Sequence, residues 1–392
     1  VLSAESLGWL ESSAGRESLA LAESLGPREE TFLAVSQKLA GRVPEALARV
    51  AVEQVILRRR AAAKFPRAGE MYFLREALEQ STGHRAAAYH ASRLSDRFPR
   101  FDLGSGIGGD TLAFAEQGPV IAIDRDLLRL HVLQANAHSL GLCGSVQVIQ
   151  ADLLAPAWRL PARAVAFADP GRRRDGRRIR APAGYEPPLG RLVDLARSVA
   201  GMGIKVSPAV DRAQTDPLGA EVEFLSDGGD LKECLLWFGE LRTVSSRATV
   251  LPEGKTLTGP EADRHALSPV LEFVYEPDPA VMRAGLVRRL GELIGATQVD
   301  PDLALLTSGK LTGTPLASAY RVQDVLPFGE KALRGELRRR GVGQVTLKKR
   351  GSAVDTEALG KRLRLAGDVS ATVLLTRVLG QPLALLLEPL AP

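Results

Sequence analysis

Phe101-Asp102-Leu103-Gly104-Ser105-Gly106-Ile107-Gly108-Gly109-Asp110 follows a strand-like run and opens a helix-like one. Gly104, Gly106 and Gly109 satisfy G-x-G-x-x-G, and glycine lets backbone approach a ligand closely. The next apolar run, Val120-Ile121-Ala122-Ile123, ends in an acid, Asp124. A carboxylate at that place is positioned to take two ribose hydroxyls. Strand, glycine loop, helix, strand and acid together predict a nucleotide-type cofactor site on a doubly wound parallel sheet.

The glycine pattern alone does not separate a dinucleotide from S-adenosylmethionine, and glycines also serve plain turns. Further acids bear on the choice. Asp102 lies two residues before the first glycine, within reach of a cationic methionine end. A dinucleotide has no use for that charge, because its pyrophosphate is already negative. Asp152 closes a third strand, Val146-Gln147-Val148-Ile149, and can accept from an adenine amino group. Phe167-Ala168-Asp169-Pro170 closes a fourth. Four acids at four successive strand ends favour the methyl donor.

In a doubly wound sheet the crevice lies at the carboxyl ends of the strands, which puts Asp169 beside the reactive methyl. Methyl transfer from a sulfonium needs mainly an oriented nucleophile. An exocyclic base amine is a poor one, because its lone pair is delocalised into the ring. Asp169 and the Pro170 carbonyl are expected to accept its two N–H bonds and aim that lone pair. Proline fixes φ and so steadies the carbonyl. The competing reading of Asp-Pro is a turn after a strand. Six of the nine residues from Arg172 to Arg180 are arginine. Starting three residues past Asp169, Arg172, Arg173, Arg174, Arg177 and Arg178 are expected to grip nucleic-acid phosphates; a solvated charged face is the alternative. Arg338–Arg340 with Lys348–Arg350 form a second basic patch, read equally as an RNA contact or as solvated element ends. Lys205 ends the fifth strand, where an internal ion pair is at least as good a reading as catalysis. Arg58–Arg60 read as solvated or packed on the core's own acids. The five histidines show no ligand spacing, so no metal is expected.

The 392 residues carry a formal charge of +5 and a pI near 9.3, which mildly favours a polyanionic partner. Two or three domains are expected at this length. Cys143 and Cys234 are far apart in apolar settings and read as two buried thiols in a reducing cytosol. The first residues lack a signal-peptide pattern and no apolar run reaches spanning length, so a cytoplasmic protein outside the membrane is expected. Residues 1–95 read as a helical subdomain. Residues 96–252 alternate strand and helix, with strands near 99–103, 119–124, 145–149, 164–169, 202–206, 232–238 and 246–251. This is the pattern of an α/β, Rossmann-like, seven-stranded doubly wound sheet ending in an antiparallel hairpin. Prolines punctuate a connecting region, 253–312, with one helix at 280–295. Residues 313–392 read as a small α+β domain.

The glycine loop with Asp124, Asp152 and Asp169-Pro170 resembles class I S-adenosylmethionine-dependent methyltransferases. Arg59-Arg60-Ala61-Ala62-Ala63-Lys64-Phe65-Pro66, Lys205-Val206-Ser207-Pro208 and Gly229-Asp230-Leu231-Lys232-Glu233 narrow the resemblance. It is to the bacterial group with a C-terminal THUMP-like domain, akin to the trimethylguanosine synthase branch of RNA guanine-N2 methyltransferases. The resemblance implies a transfer or ribosomal RNA substrate. It implies that Asp102, Gly104, Gly106 and Asp110 line the donor's methionine end, with Asp124 at ribose and Asp152 at adenine. The chain departs from the guanine-N2 motif in having Gly171 and Arg172 where a proline and a base-stacking aromatic are usual. That places the target atom in question more than the reaction class. A methyltransferase acting on a small molecule or protein, and a donor-binding RNA-binding protein without catalysis, are the alternatives.

Overall fold

The computed structural model describes residues 2–155, 159–171, 173–174, 177–178, 184–260 and 266–390. The chain divides into two compact units, residues 1–220 with 234–243, and residues 221–233 with 244–392.

In the first unit, β1 (Arg100–Leu103), β2 (Val120–Asp124), β3 (Val146–Gln150), β4 (Val165–Ala168) and β5 (Gly201–Val206) are parallel neighbours in the order β5-β4-β1-β2-β3. The strand Asp230–Gly239 pairs antiparallel with β5, from Gly201 opposite Gly239 to Val206 opposite Cys234. β1, β4 and β5 are buried along their whole length. Their near-continuous apolar runs suit a parallel sheet covered on both faces. Helices Gly109–Glu116, Leu127–Ser139 and Leu189–Ala196 follow β1, β2 and β4. The doubly wound α/β fold is therefore as expected.

Residues 4–93 are helical, in six α-helices among the described residues from Ala4–Glu11 to His84–Arg93. Apolar residues of the long helix Glu45–Ala61, such as Val52, Val55 and Ile56, share one core with Leu130 and Leu133 of the helix after β2. Burying each such side chain contributes about 1.5–3 kcal/mol. The Arg58–Arg60 run, read as solvated or packed on the core's own acids, is half-buried at Arg58 and exposed at Arg59 and Arg60. Arg58 Nε donates to the Met71 carbonyl, Arg59 to Pro27, and Arg60 pairs with Glu29. A second core surrounds β4. Phe167 packs edge-on to Phe114 at 5.7 Å, is tilted against Trp237 at 6.1 Å, and stacks on His90 at 4.6 Å.

In the second unit, the strand Glu221–Asp227 pairs in parallel with Ser246–Leu251, which pairs antiparallel with Lys255–Thr258. This corrects one expectation, that 246–251 is the return strand of a hairpin with 232–238. Its partner is a strand the sequence reading left out. The chain turns from that missed strand at Gly228-Gly229, both at positive φ, into the strand Asp230–Gly239. A seven-stranded sheet follows, with Phe273–Pro277 next to Ala317–Pro327, then Gln381–Pro389, Val369–Val378 and Val342–Lys349. Thr297–Gln298 and Leu306–Ser308 complete it. Two helices, Glu330–Arg339 and Thr356–Leu363, bring Leu333, Leu337, Leu359 and Leu363 into its core. The expected single helix at 280–295 is two, Pro279–Ala284 and Val287–Ile294, because Gly285 takes a left-handed φ of +72° and stops the first.

Cys234 is buried as expected, but Cys143 is exposed, because it falls in the turn after Leu127–Ser139. No helix among the described residues is long and apolar enough to cross a membrane.

Candidate active site

The carboxyl ends of β1–β4 open into a cleft of about 760 Å3 within the first unit. All eight sequence-predicted residues outside the arginine run, Asp102, Gly104, Gly106, Asp110, Asp124, Asp152, Asp169 and Pro170, line it. Arg172 lies outside the described residues. Arg173-Arg174 and Arg177-Arg178 pair as a two-stranded antiparallel ribbon.

The loop after β1 is shaped by glycines. Gly104 and Gly106 have φ of +79° and +54°, a region L side chains rarely adopt. A Cβ on Gly106 meets nothing within 4 Å, so the loop leaves open space over the cleft. Gly108, at φ +99°, starts the helix Gly109–Glu116.

Each acid is held differently. Asp102 is 2 % exposed and accepts from the Thr111 hydroxyl. Burial pushes its carboxyl up to about 8, with neighbouring Asp110, Asp169 and Asp124 adding to the effect. Asp124 is buried and accepts from the N–H groups of Gly106 and Asp126, each at 2.9 Å. It therefore ties the glycine loop to the end of β2. Asp152 is exposed and accepts from the Leu154 N–H at 2.9 Å. Asp110, at the start of the helix after the glycine loop, also lines the cleft. It is buried, with one oxygen accepting from the Thr82 hydroxyl and the other 2.7 Å from His90 Nδ1.

Asp169 and Pro170 follow β4 directly. Gly171 exchanges two backbone hydrogen bonds with Glu186, which pins the segment after Pro170. The Lys205 ammonium, at the end of β5, donates to Asp169 Oδ2 at 2.7 Å and to Thr82 Oγ1 at 2.9 Å. The internal ion pair read for Lys205 is thus present, and it is made with the candidate catalytic acid.

Sequence reasoning missed the wall supplied by the helical segment, which includes Arg75, Glu79 and Thr82. The available signal lay in Gly109. A Cβ there comes 3.0 Å from the Thr82 N, so the third glycine of the motif serves close packing of Thr82 on the loop. The cleft is acid-rich, with eight Asp or Glu residues against three arginines among its lining. Such a field suits a ligand bearing ammonium and sulfonium charges. The open glycine loop, the acid near the carboxyl end of β1 and the acids at the ends of β2 and β3 fit S-adenosylmethionine. No described group of three or more His, Cys, Asp or Glu residues could hold a metal ion.

The second basic patch is largely spent inside its own unit. Arg339 and Arg340 pair with Glu336, and Arg340 also with Asp324. Lys348 bonds Glu276 and Tyr320, and Arg350 lies 3.7 Å from Glu276.

Residues 100–172 match a family model described as RNA cap guanine-N2 methyltransferase, and residues 317–389 one described as THUMP domain-like. Residues 3–61 match a domain of unknown function. The chain is 35% identical over 338 residues to proteins of Mycobacterium tuberculosis strains H37Rv and CDC 1551, covering 83% of this chain and 92% of theirs. Both are described as uncharacterized S-adenosylmethionine-dependent methyltransferases. A crystal structure of a candidate methyltransferase from Porphyromonas gingivalis W83 is similar at 21% identity with a TM-score of 0.70. That match covers 93% of this chain and all of the other, and at this identity it speaks to the fold.

Proposed function

This chain belongs to the S-adenosylmethionine-dependent methyltransferases, and from that premise we propose that it N-methylates a base in transfer or ribosomal RNA, with guanine N2 as the leading target. The observation that carries the reading is the set of acceptors at Asp169-Pro170. Lys205 occupies Oδ2 of Asp169, which, among the described residues, leaves Oδ1 and the Pro170 carbonyl as two acceptors for the two N–H bonds of an exocyclic amine. The family-model match over 100–172 and the THUMP-like match over 317–389 support an RNA substrate.

When bound, S-adenosylmethionine supplies an electrophilic methyl on a sulfonium. Asp102, Gly104, Gly106 and Asp110 would hold its methionine end, Asp124 its ribose and Asp152 its adenine. Asp169 and Pro170 orient the amine, and as the methyl passes from sulfur to nitrogen Asp169 accepts the proton the nitrogen sheds. Phosphate binding falls to Arg172, Arg173, Arg174, Arg177 and Arg178, because an acid-rich cleft repels a polyanion. On this reading residues 1–95 are a helical subdomain, 96–252 the catalytic domain, 253–312 a connection and 313–392 the THUMP-like domain of a cytoplasmic enzyme.

The acid-rich lining also favours a second reading, in which a neutral or cationic small molecule or protein side chain takes the methyl. One experiment separates them. Labelled methyl from the donor is offered to RNA, protein and metabolite fractions of cells lacking this protein. Label in a methylated base after nucleoside analysis is the expected result; label confined to protein or metabolites overturns the RNA assignment.

A further inference from the structure

The ion pair at Asp169 is one end of a longer buried chain. Lys205 Nζ donates to Asp169 Oδ2 and Thr82 Oγ1, and the Thr82 hydroxyl donates to Asp110 Oδ2 at 2.7 Å. His90 Nδ1 lies 2.7 Å from Asp110 Oδ1. His90 is fully buried and stacks on Phe167 of β4, two residues before Asp169. The Lys205 side chain is 6% exposed and that of Asp169 20%. So the substrate-facing acid is the most exposed member of the chain, and the groups behind it are buried.

Three segments meet here. Thr82 and His90 come from the helical subdomain, Asp110 from the first turn of the helix after the glycine loop, and Lys205 from the end of β5. A buried, mutually bonded set of this kind has few alternative arrangements, because breaking one link leaves a charge or dipole unpaired. A carboxylate free to rotate presents either oxygen to a substrate. One held at Oδ2 presents only Oδ1.

We propose that Lys205 is a positioning residue for methyl transfer, which fixes the Asp169 carboxylate and is itself held by the Thr82–Asp110–His90 chain. Asp110 stands at the start of the helix that follows the glycine loop. The donor-binding loop and the acid that aims the acceptor therefore share one hydrogen-bonded frame. The helical subdomain is part of that frame and not an appendage to it. This proposal rests on Asp169 being the acid that receives the acceptor amine.

The test compares wild type with Lys205→Met, Lys205→Arg and Thr82→Val, using RNA from cells lacking the protein as substrate and S-adenosylhomocysteine as the binding probe. Lys205→Met is expected to bind S-adenosylhomocysteine and RNA within threefold of wild type, and to lose at least 30-fold in kcat. Lys205→Arg recovers at least tenfold of that loss, and Thr82→Val loses three- to tenfold in kcat with KM unchanged. A kcat for Lys205→Met within threefold of wild type overturns the proposal. So does a parallel loss of binding and kcat, which marks a merely structural role. If Lys205→Met does not fold, Thr82→Val decides, and an unchanged kcat overturns the proposal. If wild type methylates no RNA, the substrate assignment fails by itself. The Lys205 proposal is then decided by crystal structures with bound S-adenosylhomocysteine. An Asp169 carboxylate that turns away in Lys205→Met, or in Thr82→Val if the former does not fold, upholds it. An unmoved carboxylate overturns it.

Discussion

Asp102 shows how a single residue's surroundings become a measurable property of the whole protein. Its carboxyl titrates near 8 because burial and three nearby acids oppose ionisation. In the unfolded chain it titrates near 3.8. The folded form therefore keeps a proton that the unfolded form gives up. The contribution to stability is complete below about pH 4 and falls as the pH rises towards 8. A cationic ligand reverses the preference and favours the carboxylate. Donor binding at pH 7 is thus expected to release a proton, and affinity is expected to rise with pH until it levels off near 8. Calorimetry in buffers of different ionisation enthalpy reads this directly, and Asp102→Asn is expected to abolish the proton release. At Asp169 the expectation differs. Asp169→Ala is expected to bind S-adenosylhomocysteine normally and to lose about 100-fold or more in kcat, in the range typical of removing a general base. Full activity in that variant removes Asp169 from the mechanism.

At the scale of the element, the loop after β1 is decided by backbone conformation. Gly108 takes φ +99°, and a Cβ there comes 2.4 Å from Leu133 Cδ1 and 3.2 Å from Leu112 Cγ. Gly108→Ala is expected to destabilise the first unit by about 1–3 kcal/mol, from left-handed strain and repacking together. Thermal unfolding with and without S-adenosylhomocysteine measures it, and an unchanged Tm refutes the account. The strand Glu221–Asp227 shows where element reading failed. Glu221-Val222-Glu223-Phe224 alternates acid with apolar residues, which reads as a surface strand or a loop, yet both glutamates are fully buried. Arg247 bonds Glu221 at 2.7 Å and Thr249 bonds Glu223 at 2.5 Å from the adjacent strand. Such pairing makes the acids tolerable inside. Strands that repeat apolar residues, such as Val165–Ala168, were legible because both faces are covered.

At the scale of the molecule, the positive net charge and the acid-rich cleft point to a division of labour. If RNA is the substrate, as proposed, recognition of phosphate and transfer of the methyl group would use different surfaces. Affinity for RNA is expected to fall steeply with salt, since each phosphate that a basic side chain neutralises releases counterions. Replacing Arg173, Arg174, Arg177 and Arg178 together with serine is expected to lower the slope of log K against log salt by about one for each phosphate left without its arginine. Donor binding is expected to stay within threefold. A slope unchanged in that variant moves the phosphate-binding surface elsewhere on the chain.

The sequence by itself determined the doubly wound sheet, the donor class and the row of acids that lines the cleft. These depend on local signals: apolar runs, positive-φ glycines and acids at strand ends, each readable within a few residues. Only the tertiary structure decided what the acids bond to. It joined Lys205 to Asp169, turned Asp110 towards Thr82 and His90, and brought residues 75–82 to the cleft wall. It also gave Glu221 and Glu223 their partners. The physical reason is that these bonds link residues 20 to 36 positions apart. No local pattern carries their geometry, and whether a buried charge is tolerated depends on the group that folding sets beside it.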